Sequence, residues 1–192
     1  NHLVLLAKNY QGYKNLMKLV TAGYLEGFYY RPRIDIDLLK EYNEGLICLS
    51  GCLKGELPEK MLKGDFEGAK KTAIMYSQIF NDRYYLEIQN HGIPEEEANI
   101  ANMKKLASEL GLPLVCTNDA HYAKQNHWEA HDIHICLGTG KERSDQNRLR
   151  YATPEFYFKS QDQMFKLFKE FPGAIENTRK IADSINLELP IG

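Results

Sequence analysis

Short apolar runs alternate along this chain with longer segments of helical periodicity, and no other feature restricts the fold as much. Leu3 to Ala7, Leu46 to Ser50, Tyr84 to Gln89 and Pro113 to Thr117 read as strands, with Phe156 to Phe158 as a last short one. Helical segments lie between them. Leu16, Leu19 and Val20 share helical spacing, in a helix that ends in the Gly23 to Gly27 region. Asp65 is an N-cap for a helix running to Phe80. Pro94 and Glu95, Glu96 and Glu97 suit a first helical turn, where acidic charge meets the positive end of the dipole, and Gly111 stops that helix. A further helix covers the stretch from Asn126 to Leu137. Ser160 with Gln163 reads as a capping box, and a final helix runs from Pro172 to Ile185. The stretch Gly27 to Arg33 is irregular, because Pro32 removes a donor and fixes its own backbone.

Strand then helix, repeated, predicts an α/β fold: a mainly parallel sheet or barrel with helices outside. In such folds the chemistry gathers where the strands end. The turns Ser50-Gly51-Cys52, Gln89-Asn90-His91 and Thr117-Asn118-Asp119-Ala120-His121 are therefore expected on one rim. The 192 residues suffice for one domain with a sizeable core. Lys plus Arg total 24 against 26 for Asp plus Glu, a net charge of -2, which is not the footprint of a domain that grips a nucleic-acid backbone by itself. A DNA partner would need a basic groove elsewhere, or positive charge from a bound metal. No apolar run reaches transmembrane length, and no signal peptide opens the chain. The 4 cysteines (Cys48, Cys52, Cys116 and Cys136) contain no C-x-x-C pair, which fits a reduced, cytoplasmic protein without a membrane partner. Asn1 stands directly before an apolar run, and this reads as a start inside a domain.

Asp119 and His121, two apart at a strand end, can point the same way and share a metal, and carboxylate with imidazole suits zinc, manganese or iron. A capping Asp beside a surface His has the same spacing. Cys52 follows a strand and a glycine, where its thiolate could face the rim, although most free cysteines behave as small hydrophobes. His2 precedes an apolar strand, and spacing does not separate a ligand from a chain end. His127, His131 and His134 share a helical face but lack the H-E-x-x-H glutamate, because Trp128 follows His127, so a mixed helix surface is the better reading. Gly138-Thr139-Gly140-Lys141 lacks the phosphate-loop frame and reads as a helix end. Arg31 and Arg33 flank Pro32 in a Tyr-rich loop; Arg33 is a candidate phosphate contact, and stacking on the tyrosines is the alternative.

Several segments are also recognisable as strings. His2-Leu3-Val4-Leu5-Leu6-Ala7-Lys8-Asn9 with Gly12-Tyr13-Lys14-Asn15-Leu16 is one, and Gly27-Phe28-Tyr29 through Pro32-Arg33-Ile34-Asp35 another. Gly45-Leu46-Ile47 to Ser50-Gly51-Cys52-Leu53, Tyr85-Leu86-Glu87-Ile88-Gln89, Thr117-Asn118-Asp119-Ala120-His121-Tyr122 and His131-Asp132-Ile133 through Thr139-Gly140-Lys141 complete the set. Together they resemble, collinearly and over essentially the whole chain, the PHP (polymerase and histidinol phosphatase) domain of the bacterial DNA polymerase III alpha subunit family.

That resemblance implies an incomplete, distorted (β/α)7-type PHP barrel with mainly parallel strands and outer helices, spanning residues 1–190 and lacking its first strands. Leu187-Glu188-Leu189-Pro190 resembles the passage to the polymerase palm, which puts a boundary near residues 186–192. It implies His2, Cys52, Asp119 and His121 as metal ligands, with a cluster of divalent ions (zinc, manganese, iron or magnesium) in the intact domain. The family's opening H-x-H, its next acidic and His ligands and a further Glu would precede Asn1, so the site here is expected to be incomplete. The implied whole protein is a DNA-directed DNA polymerase. Its PHP part would be a metal-binding phosphoesterase-like domain linked to 3′-5′ proofreading or pyrophosphate hydrolysis. The implied partners are DNA, through the whole polymerase, and other holoenzyme subunits, including a proofreading subunit and the sliding clamp. The piece alone is expected to be inactive, and its exposed sheet edges invite self-association. Two other readings stand beside this one: a non-catalytic structural or docking module, and a free-standing PHP phosphatase, against which the palm-like C-terminal match speaks.

Overall fold

The computed structural model describes residues 1–189. Its centre is a four-stranded sheet in the order β1-β2-β3-β4, formed by Val4–Ala7, Leu46–Leu49, Tyr84–Ile88 and Leu114–Cys116. β2 with β3 and β3 with β4 pair parallel, whereas β1 pairs antiparallel with β2, Val4 opposite Leu49 and Ala7 opposite Leu46. The sheet is thus mostly parallel and flanked by helices, as expected of part of a PHP barrel. The antiparallel β1 has one consequence for the site: the residue ahead of it, His2, lies beside the carboxyl end of β2.

Local chemistry sets most helix ends. The Asn9 side chain accepts from Gly12 N at 2.9 Å and starts α1 (Tyr10–Leu25). Gly12 also lets α1 sit directly on the turn before β2, since a Cβ there would stand 1.9 Å from Gly45 O. Asp65 caps α4 (Phe66–Phe80) through Gly68 N at 2.8 Å. Pro94 opens α5 (Pro94–Leu110), and Gly111 closes it in the left-handed conformation. The capping box of Ser160 and Gln163 is formed at α7 (Gln161–Leu167), and α8 (Pro172–Ser184) follows. Two short helices, α2 (Ile36–Glu41) and α3 (Glu56–Leu62), have no clear periodic signal in the sequence. α6 (Trp128–Thr139) is preceded by a 3₁₀ turn at Gln125–His127, and Gly140 ends it at φ 63°. Gly138 to Lys141 is therefore a helix stop, as read. None of the described helices is long and apolar enough to cross a membrane.

Both faces of the sheet are covered, which explains why β2 is apolar at every position and buried throughout. On one face Leu46, Cys48, Tyr84, Leu86 and Ile88 pack with Ala73 and Phe80 of α4 and Met103 and Leu106 of α5. On the other, Ile47, Leu49 and Val115 pack with Ile181 of α8. Each fully buried Leu or Ile side chain contributes about 1.5–3 kcal/mol. Leu16, Leu19 and Val20 lie in α1 as expected from their spacing; Leu16 and Leu19 fill the seam against the sheet, and Val20 is 52% exposed. One expectation needs correction. Phe156 to Phe158 is not a strand: Tyr157 makes a single parallel bridge to Tyr122, Phe156 is buried and Phe158 is exposed. The boundary expected near residues 186–192 falls partly on residues 190–192, which lie outside the described residues.

Candidate metal centre

Because β2, β3 and β4 run parallel, the turns at their carboxyl ends open on one rim. Gly51 begins the first turn at φ 86°, a conformation that L side chains avoid. It lets the backbone of His2 approach: His2 N donates to Lys54 O at 2.9 Å, and His2 bridges Gly55. The result is a cavity of about 270 Å³ whose lining includes His2, Cys52, Asp119 and His121.

These side chains stand in two pairs. Cys52 Sγ lies 3.6 Å from His2 Nδ1. Asp119 Oδ1 lies 3.3 Å from His121 Nε2, both side chains about one-third exposed. Asp119 is in the left-handed region at φ 43°, where Asp is tolerated better than most residues. Among the described residues no group of three or more His, Cys, Asp and Glu is close enough to hold an ion as it stands. A thiol, two imidazoles and a carboxylate on one cavity nevertheless form a donor set suited to a borderline divalent ion such as zinc, rather than to magnesium. Of the four cysteines, only Cys52 is not buried, and burial pushes the Cys48 thiol far above its ordinary range.

Two buried carboxylates organise the rim from below. Glu87, in the middle of apolar β3, is only 3% exposed. Its Oε2 accepts from Gly51 N at 3.0 Å, and its Oε1 accepts from Gln89 Nε2 at 3.1 Å and from the Thr117 hydroxyl. One side chain therefore ties together the turns after β2, β3 and β4. Burial raises the Glu87 carboxyl above the usual carboxylate range, and the bonds from Thr117, Gly51 and Gln89 oppose that rise.

Glu96, in the first turn of α5, does the same for His91. Its Oε2 accepts from His91 N at 2.6 Å and its Oε1 from His91 Nδ1 at 2.7 Å. His91 Nε2 donates to Asn118 O at 2.8 Å, fixing the residue ahead of Asp119. The two ring nitrogens thus face the Glu96 carboxyl on one side and the Asn118 carbonyl on the other. The ring also stacks on Phe156 at 4.1 Å, and the Thr153 hydroxyl donates to His91 O at 2.7 Å. Sequence reading did not single out Glu87, His91 or Glu96. The available signal was a charge inside an otherwise apolar strand for Glu87, and a histidine in a strand-end turn for His91.

The remaining candidates lie elsewhere. Arg33 is in an exposed loop, where it donates to Tyr29 O at 2.9 Å and stands over the Tyr29 ring at 5.2 Å. It lines grooves beside Leu3, Leu5 and Ile34, and the structure does not bring it into the His2–His121 cavity. His127, in the 3₁₀ turn ahead of α6, and His134, on α6, are both exposed. His131 turns toward the rim, its ring 6.0 Å from that of His121 and 5.2 Å from that of Tyr151. Its pKa is lowered by burial first, then by His121 and His134. The three histidines form no joint site.

The PHP domain model matches residues 1–91, in keeping with a mostly parallel sheet flanked by helices. The matched residues include His2 and Cys52; Asp119 and His121 lie beyond them. Relatives that span nearly the whole chain carry the identification one step further: it is homologous to the DNA polymerase III alpha subunit, within the region that holds the PHP domain. The subunit of Borreliella burgdorferi is 50% identical over 182 residues, 95% of this chain and 16% of that protein. That of Treponema pallidum is 48% identical over 190 residues, 98% of this chain and 16% of that protein. That of Campylobacter jejuni is 42% identical over 202 residues, 100% of this chain and 17% of that protein. The chain thus spans about a sixth of the length of these relatives.

Proposed function

We propose that this chain is the PHP region of a replicative DNA polymerase III alpha subunit, and that its strand-end cavity holds a divalent ion directed at a phosphoester. The whole protein would perform DNA-directed DNA synthesis in the cytoplasm, with DNA and the other holoenzyme subunits, including a proofreading subunit and the sliding clamp, as partners. The PHP cavity would serve 3′-5′ proofreading or pyrophosphate hydrolysis. One observation carries the reading: side chains from three separate segments, around residues 2, 52 and 119–121, line a single small cavity.

His2, Cys52, Asp119 and His121 would hold the ion. When bound, it would supply charge neutralisation on a phosphoryl oxygen and activation of a water. The chain's own residues set the positions. Glu87 fixes the turn that carries Cys52 relative to the turn that carries Asp119, through Gly51 N and the Thr117 hydroxyl. His91 fixes the carbonyl ahead of Asp119. Tyr151 Oη lies 3.1 Å from His121 Nδ1 and limits the orientations of that ring.

Cobalt(II) titration tests the assignment, because a thiolate–cobalt bond has its own absorption. The chain is expected to develop that band with a stoichiometric end point. Cys52→Ser should abolish it, and Asp119→Asn should weaken binding at least about tenfold, as losing a carboxylate partner to a charge does. Binding without the band, or an unaltered band in Cys52→Ser, would remove the cavity from consideration as the metal site.

A further inference from the structure

A larger cleft lies beside the candidate metal cavity. It measures about 630 Å³ and lies between α6 and the irregular segment that follows it. Its walls include the rings of Tyr122, Trp128, His131 and Tyr151, together with Arg143, Arg148 and Arg150. Tyr151 belongs to both cavities.

Charge is unevenly matched here. Asp132 is the lining carboxylate, and Arg148 occupies it with two bonds, at 2.5 and 2.8 Å. Arg143 Nε stands 3.3 Å from the same Asp132 and its Nη2 3.6 Å from the exposed Glu129. Arg150 makes no ion pair among the described residues. The lining therefore carries more cation than anion and is rich in aromatic residues. Guanidinium groups pair with phosphate oxygens, and aromatic faces stack on bases whatever their sequence. A volume within the roughly 300–1,000 Å³ of small-ligand sites admits a nucleotide unit and excludes a duplex.

We infer that this cleft holds one nucleotide of a single strand, its phosphate on Arg150 and its base among Trp128, Tyr122 and Tyr151, next to a phosphoester presented to the rim cavity. The inference rests on the proposed phosphoester-directed function only for the direction of the strand; binding in the cleft itself needs no ion. It also accommodates the net charge of -2, because a single-nucleotide subsite requires a local surplus of cations and not a basic surface.

The chain contains 1 tryptophan, so its fluorescence reports on this cleft alone. Thymidine 5′-monophosphate and a short oligothymidylate, titrated in the presence of a chelator, are expected to quench Trp128 saturably, the oligonucleotide at least as tightly. Arg150→Gln, at an exposed position, should weaken both about tenfold, the usual scale for losing one charged hydrogen bond, whereas Arg31→Gln, outside the cleft, should change neither. Because the chelator keeps the rim free of metal in these titrations, nucleotide binding is read without the cobalt band, and failure of the metal assignment and failure of this one are distinguished. Absence of saturable quenching, equal affinity for inorganic phosphate and the nucleotide, tighter binding of the monophosphate than of the oligonucleotide, or an unaffected Arg150→Gln would each overturn the inference.

Discussion

The strand-end rim and the cleft beside α6 share Tyr151, yet they are held in place by different means. The rim is a product of the sheet. Its turns are fixed by parallel pairing, and its buried carboxylates, Glu87 and Glu96, accept from groups on several elements. The cleft has no regular structure on one side, and a single carboxylate, Asp132, draws in Arg143 and Arg148 across a sharp change of chain direction. The His91–Glu96 pair is essentially dry, at 1% and 5% side-chain exposure; in the cleft Arg148 and Asp132 are also largely covered, at 6% and 12%, and it is Arg143 beside them that is open to water, at 48%. A dry pair is expensive to break, because the partner left behind stays buried; a wet pair lets water replace what is lost. The buried bonds tie the rim turns to one another, whereas part of the cleft's ion-pair network stays open to water.

The largest effect that would test this contrast is expected from Glu96→Ala. It strips two buried donors of His91 of their acceptor and should destabilise the chain by about 2–5 kcal/mol, the cost of leaving both unsatisfied. Chemical denaturation measures it. A loss below about 1 kcal/mol, the scale of a surface pair, would mean that the rim is no drier than the cleft and would break the comparison.

Gly51→Ala comes next. At φ 86° an alanine costs about 1–2 kcal/mol, and its Cβ would stand 2.8 Å from His2 O. The same change should part His2 from Cys52 and reduce cobalt binding, while nucleotide quenching of Trp128 stays as it was. A Gly51→Ala chain of unchanged stability and cobalt affinity would show that the β1–β2 side of the rim is looser than its backbone bonds imply.

The same contrast explains what could be read from the sequence. The strands, the Asp65 and Ser160 caps and the Gly111 stop depend on residues within a few positions of one another, and the structure contains them. The shared rim followed from parallel order plus strand ends. Its two hidden carboxylates did not: Glu87 meets Gly51 and Thr117 across three strands, and the His91–Glu96 spacing of five follows neither helical nor strand periodicity. The aromatic run Phe156 to Phe158 looked like a strand, yet its rings serve the site instead, Phe156 stacking on His91. The cleft was invisible for the same reason. Asp132 and Arg148 are sixteen residues apart in a segment without a pattern, and only the folded chain brings them within 2.5 Å.

The smallest expected effect concerns Asp132 and its dependence on pH. The Arg148 guanidinium donates to this carboxyl and lowers it below the usual aspartate value, with Arg143 adding to the pull and partial burial opposing it. A carboxyl lowered in the folded state binds fewer protons there than in the unfolded chain. Its stabilisation is present in full above the ordinary aspartate range and disappears as pH falls through the lowered value. Asp132→Asn should therefore melt at a lower temperature than the parent at neutral pH. The two melting curves should converge in acid, once the parent's Asp132 is protonated. In the same variant the cleft should loosen ahead of the rim: amide exchange should quicken around Arg143 and Arg148, while the amides of Gly51 and His91 exchange as before. A pH-independent gap, or equal loosening at His91, would mean that Asp132 supports the whole face and that cleft and rim are one unit.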